Sequence, residues 1–130
     1  MKLKGLTPNL MTDNMDATLD FYLGLLGFEV VMQVPERPPY DWIMMTRDKV
    51  MLMFQSRKSV QEDLNLLGDK NIGGSMAFFT EVEGIDEWFE LLKDKVEICL
   101  EMRTTFYGMT EFGFYDVNGY LIIFAERKSA

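Results

Sequence analysis

The two halves of the chain carry the same succession of residue types 70 positions apart, and this repetition restricts the fold more than any other feature. Thr12 matches Val82, Met15 matches Ile85, Asp16 matches Asp86, Phe28 matches Ile98, Trp42 matches Phe112, Met44 matches Phe114 and Phe54 matches Phe124. A fixed period means one supersecondary unit used twice. Each half reads as a strand, a helix and three further strands. In the first half these are GLTPNLMT, a helix carrying Met15, Leu19, Tyr22 and Leu26 at helical spacing, FEVVMQV, and the pair YDWIMMTR and VMLMFQ. In the second they are GSMAFFTEV, a helix with Ile85, Trp88, Leu91 and Leu92 inward, VEICLEM, and the hairpin YGMTEFGFYDVNGYLIIFAE. The expectation is an α+β domain over residues 1–130. It has two tandem βαβββ modules, 5–55 and 74–126, joined by a linker at 56–73, and their curved mixed sheets surround a cleft.

Local punctuation supports this order. Asp13 and Asn14 cap the first helix and Gly27 ends it, while the Pro-rich residues 35–39 cannot sit inside a sheet. Asp48-Lys49 turns one hairpin. Asn118-Gly119 is read as a tight two-residue turn in the other, since both residues tolerate positive φ. The polar stretch after Ser56 is expected to hold a short helix at 60–67.

Strand alternation then divides the side chains between two faces. Leu10, Thr12, Phe28, Val30, Phe54, Phe112, Phe114 and Phe124 are expected to face the helices, with Trp42 among them. Thr7, Asn9, Met11, Met51, Met53, Gln55, Ser75, Ala77, Phe79, Glu101, Arg103, Glu111, Gly113, Tyr115, Leu121 and Ile123 are expected to face the cavity. The 11 methionines of the chain suit an adaptable apolar lining.

Composition excludes several chemistries. The 130 residues include no histidine, which removes the commonest general base, the commonest zinc ligand and every Ser-His-Asp or Cys-His arrangement. A net charge of −8 argues against a nucleic-acid surface, whose phosphates need stripes of Lys and Arg. No apolar run approaches a membrane-spanning length and no signal-peptide region follows the first residues, so no membrane partner is expected and a cytoplasmic location is. The one cysteine, Cys99, permits no intrachain disulfide and reads as a buried strand thiol.

The segments LTPNLMTDNMDATLDFYLGLLGFEV and GFYDVNGYLIIF resemble the opening and closing motifs of the vicinal oxygen chelate superfamily, which holds glyoxalases, extradiol dioxygenases, and fosfomycin- and bleomycin-resistance proteins. Val117 stands where that family usually has proline. In the family's metalloenzymes each half supplies a His or Gln from its first strand and a Glu from its last. The resemblance carries those places to Thr7 and Ala77, and to Met53 and Ile123. None of the four suits a nitrogen- and oxygen-ligated divalent metal, so no metal and no cofactor are expected.

The resemblance then points to the metal-free bleomycin-resistance branch, whose members are dimers that hold a bulky compound in a groove. It implies a homodimer that binds a small molecule through Asn9, Met53, Phe79, Glu101, Arg103, Tyr107, Glu111, Tyr115 and Ile123, with no catalytic residue. Phe79, Tyr107, Tyr115 and Trp42 suit stacking on planar rings; Glu101, Glu111 and Asp41 suit a cationic tail; Arg103 suits an ion pair with Glu101 or Glu111. The alternatives are a lyase or dioxygenase of the same superfamily, a metal-independent enzyme using Glu101 or Glu111 as base with Arg103 as oxyanion partner, and an interaction module with a filled cavity.

Overall fold

Strand β1 (Asn9–Thr12) leads into helix α1 (Met15–Leu19), which continues as one wide π-helical stretch through Asp20–Leu25. The description comes from a computed structural model and covers residues 1–128. Asn14 caps α1 as expected: its side-chain oxygen accepts the Ala17 N–H at 3.0 Å. Gly27, at φ 74°, ends the helical run in a conformation that a side chain would strain. Strands β2 (Glu29–Val34), β3 (Trp42–Arg47) and β4 (Val50–Ser56) complete the sheet in the order β1-β4-β3-β2, with β1 parallel to β4 and the other pairs antiparallel. Helix α2 (Arg57–Asp63) closes this first unit, which runs to Ile72. The helix begins three residues before the sequence suggests, because the Ser56 hydroxyl accepts the Ser59 N–H and so caps it.

The second unit begins at Gly73. It holds β5 (Ala77–Glu81), α3 (Ile85–Leu92), β6 (Ile98–Thr104), β7 (Thr110–Tyr115) and β8 (Leu121–Glu126), in the order β5-β8-β7-β6. Strand β5 is parallel to β8, repeating the first unit. The repeat holds at the level of register: Leu10 pairs with Phe54, and Thr80 with Phe124, each residue 70 positions from its counterpart. The N-terminus of α3 is closed from far away, since the two carboxylate oxygens of Glu126 accept the N–H groups of Gly84 and Ile85.

Each core lies between a sheet and its helix. Tyr22 packs on Phe54 and Phe28 in the first unit; Trp88 packs on Phe124, and Phe89 on Phe112, in the second. Leu10, Thr12, Phe54, Phe112, Phe114 and Phe124 are all buried, as the alternation requires.

Strand β3 departs from the expected phase by one residue. Phe54 faces Ile43 and Phe124 faces Phe112, so the counterpart of Phe112 is Ile43 rather than Trp42, and that of Phe114 is Met45 rather than Met44. Ile43 and Met45 are fully buried. The cause is turn length: four residues separate Thr46 from Met51, but five separate Tyr115 from Leu121. Trp42 therefore points away from α1, on the face of Gln55.

The turn at Asn118-Gly119 also differs from the two-residue form. Asp116 accepts the Gly119 N–H on its carbonyl and the N–H groups of Asn118 and Tyr120 on its carboxylate, both at 2.8 Å, while its own N–H meets the Tyr120 carbonyl. These bonds make a three-residue loop in which Gly119 alone takes positive φ, at 93°. The two-residue turn is the one at Asp48-Lys49, with Asp48 at φ 50°. Cys99 is exposed on β6 rather than buried, and partial desolvation raises its thiol pKa above the ordinary value. No helix among the described residues is long and apolar enough to cross a membrane.

Candidate functional site

In the first unit the sheet face opposite the helical core carries a groove of about 380 Å³. The ladder explains its lining. Asn9 pairs with Met53, Gln55 with Trp42, and Trp42 with Val34, so these five side chains share one face of four adjacent strands. Asp41 precedes β3, and its backbone is held at both ends: its N–H meets the Val34 carbonyl at 2.7 Å and its carbonyl accepts the Ser56 N–H at 2.8 Å. Ser59 and Asp63, one helical turn apart on α2, complete the lining.

A polar network lies in this groove. Gln55 is 5% exposed. Its amide nitrogen donates to Ser59 Oγ at 2.9 Å and, at 3.5 Å, to Asp63, and its carbonyl accepts from Asn9 Nδ2 at 2.8 Å. Around it, Trp42, Met53 and Val34 supply apolar surface. Of the residues singled out in the sequence, Asn9, Met53, Gln55 and Asp41 meet here. Trp42 was misplaced by the one-residue phase error. Ser59 and Asp63 were missed, although Ser56 as a helix cap would have put them on one face of α2.

The corresponding face of the second unit is organised around Glu111, which is 1% exposed despite its charge. Arg103 Nε and Nη2 both donate to its Oε1, at 3.1 and 2.8 Å, and the Tyr107 hydroxyl donates to its Oε2 at 2.8 Å. That bond to a carboxylate, with some desolvation, raises the Tyr107 pKa above the usual phenol value. An irregularity in the β6–β7 ladder between Leu100 and Arg103 lets Leu100 oppose Gly113 and Arg103 oppose Glu111. Arg103 thus pairs with Glu111, and Glu101 stands exposed outside the cluster. Phe79, Ile123 and Gly113 form the next row across the sheet, and Tyr115 lies opposite Leu121 in the row beyond. Phe79 is half-exposed and Tyr115 nearly so.

The family's ligand places on these faces do not suit a nitrogen- and oxygen-ligated divalent metal. Met53 lies beside Asn9 and Ile123 beside Phe79. Whether the first-strand places are Thr7 and Ala77 or Asn9 and Phe79, each last-strand place is a thioether or an alkyl group. No cluster of three or more His, Cys, Asp or Glu able to hold a metal occurs among the described residues.

The sequence model described as Glyoxalase/Bleomycin resistance protein/Dioxygenase superfamily matches residues 6–124. Among curated proteins no sequence matches significantly. Solved structures share the fold at low identity. One is a bleomycin-binding protein complexed with bleomycin, with a TM-score of 0.68 and 19% identity over 97% of this chain and 100% of that one. A member of the same superfamily from Sphaerobacter thermophilus has a TM-score of 0.77 and 18% identity over 95% and 98%. A glyoxalase-related enzyme from Fulvimarina pelagi has a TM-score of 0.76 and 19% identity over 95% and 88%.

Proposed function

The chain belongs to the Glyoxalase/Bleomycin resistance protein/Dioxygenase superfamily, and from that premise we propose that it is a metal-free binding protein that sequesters a small, bulky aromatic or cationic compound. The observation that carries this reading is the groove of the first unit, where Trp42, Met53 and Val34 surround the buried, fully hydrogen-bonded Gln55. A volume of about 380 Å³ is within the range of small-molecule sites. The alkyl and thioether side chains at the family's ligand places favour binding without chelate chemistry, and the bleomycin-bound relative supports sequestration as a use of this fold. A lyase or dioxygenase reading would need donor atoms that Met53 and Ile123 lack.

In this reading the chain is one domain of two modules and acts as a cytoplasmic homodimer. On the second unit's own sheet face the proposed ligand-binding residues are Phe79, Tyr115 and Ile123 as apolar surface, with Glu101, Arg103, Tyr107 and Glu111 as polar members. Elemental analysis of purified protein, with a thermal-shift screen of aromatic and cationic compounds, tests the proposal. Trace metal and stabilisation by such compounds are expected. Stoichiometric, tightly held Ni, Zn, Mn or Fe with no response to any organic compound would overturn it.

A further inference from the structure

Hydrogen-bond polarity in the groove of the first unit selects the chemistry of what it holds. A carboxylate can only accept, so Asp63 requires Gln55 to turn its NH₂ toward α2, where Ser59 is the second acceptor. The Gln55 carbonyl must then point the other way, and Asn9 must meet it with its own NH₂. The order of donation runs from Asn9 through Gln55 to Asp63. Left over are the Asn9 carbonyl, the remaining lone pairs of Asp63 and the carboxylate of Asp41, which has no side-chain partner among the described residues. No Lys or Arg lines the groove. Its residual polarity is dominated by acceptors, and its only formal charges are negative.

Resting on the binder reading above, we propose that this groove takes an organic cation that carries N–H groups, a primary ammonium or a guanidinium, on an apolar body of one or two rings. The body lies on Trp42, Met53 and Val34, where an indole face adds attraction for a nearby cation. The N–H groups reach Asp63, Asp41 and the Asn9 carbonyl, each as a charge-assisted or neutral hydrogen bond. A quaternary ammonium of the same size keeps the charge but loses every donor. An acid meets two carboxylates, and an alcohol loses the ionic contribution.

The test is calorimetric titration with four probes that share one ring system: 2-(2-naphthyl)ethylamine, its N,N,N-trimethylammonium counterpart, 2-(2-naphthyl)ethanol and 2-naphthylacetic acid. The amine is expected to bind at least tenfold more tightly than the other three, and the affinities of the two cationic probes to fall with salt while that of the alcohol does not. Asp41→Asn and Asp63→Asn should each weaken amine binding several-fold and leave the alcohol unchanged. Trp42→Ala should weaken amine and alcohol together, and circular dichroism checks that each variant is folded. Equal or tighter binding of the alcohol or the acid would overturn the cation assignment, and equal or tighter binding of the trimethylammonium probe would overturn the need for N–H donors, each while leaving a binder. Binding that ignores all three folded variants would overturn the groove as its location. No binding by any of the four probes would remove both this inference and the groove that carries the proposed function.

Discussion

Arg103 holds the buried carboxylate of Glu111 through two nitrogens on a single oxygen, while Tyr107 occupies the other. The carboxylate is out of water and the guanidinium is half in it. Removing the cation alone therefore strands a desolvated charge with one phenol to support it. Arg103→Ala is expected to cost about 1–3 kcal/mol, less than the roughly 3–5 kcal/mol of breaking a fully buried pair, because Arg103 remains partly hydrated. Replacing both partners, Arg103→Met with Glu111→Leu, should recover most of that loss. Urea denaturation of the two variants decides it, and a double variant no better than the single one would show that the apolar pair does not pack there.

The same pair marks a limit of what the sequence discloses. Alternation placed Glu111 on the face away from α3 and offered it or Glu101 as the partner of Arg103; the structure selects Glu111, and what alternation did not disclose is that its carboxylate is buried. Burial came from Arg103 and Tyr107 reaching over it, and Arg103 is in reach only because the β6–β7 register shifts between Leu100 and Arg103. No local pattern announces such a shift. Trp42 was lost for a related reason. Strand phase is a parity, so the single extra residue in the turn after Tyr115 reverses every facing assignment carried from one hairpin to the other. The repeat itself, the helix-facing phenylalanines and the Asn14 cap were legible because each rests on spacing within one continuous element.

Two phenylalanines test the assignment of faces in the second unit. Phe112 is fully buried against Phe89, Phe114 and Phe124, whereas Phe79 lies on the opposite face and is half-exposed. Phe112→Ala is expected to cost roughly 3–5 kcal/mol, and Phe79→Ala to stay within about 1 kcal/mol. Chemical denaturation of each variant measures the difference. Comparable losses would mean that the Phe79 face is as tightly covered as the core.

Acid stability should carry the signature of one surface clamp. Arg57 donates to both carboxylate oxygens of Asp13 and to the carbonyls of Gly68 and Lys70, tying the residues after α2 to the turn before α1. The hydrogen bond from Arg57 lowers the Asp13 pKa below its usual 3.8. A carboxyl whose folded pKa lies below its unfolded one contributes stability above the unfolded value and loses it as pH falls through the folded one. The contribution is therefore present at neutral pH and disappears below about pH 4. Asp13 is largely exposed, so screening by water keeps the effect within about 1 kcal/mol. Thermal melts of the native protein and Asp13→Asn should differ at pH 7 and converge near pH 3. A gap that persists at pH 3 would assign the effect to the helix-capping turn instead of to charge.

Restoring a carboxylate at a family ligand place should not restore a metal site. Ile123 lies between Phe79 on β5 and Gly113 on β7, neither of which offers a side-chain donor atom. The nearest carboxylate along β7, Glu111, already accepts three hydrogen bonds from Arg103 and Tyr107. Ile123→Glu thus presents one oxygen ligand in apolar surroundings, where nitrogen- and oxygen-ligated zinc wants at least three protein donors. An unpaired charge there also opposes folding. Calorimetric titration of the native protein and of Ile123→Glu with Ni²⁺ and Zn²⁺ is expected to give no site tighter than roughly millimolar in either, together with a lower melting temperature for the variant. Micromolar binding by Ile123→Glu would mean that Glu111 can leave Arg103 to share a metal, and the Arg103 pair would then be a switchable contact rather than a fixed one.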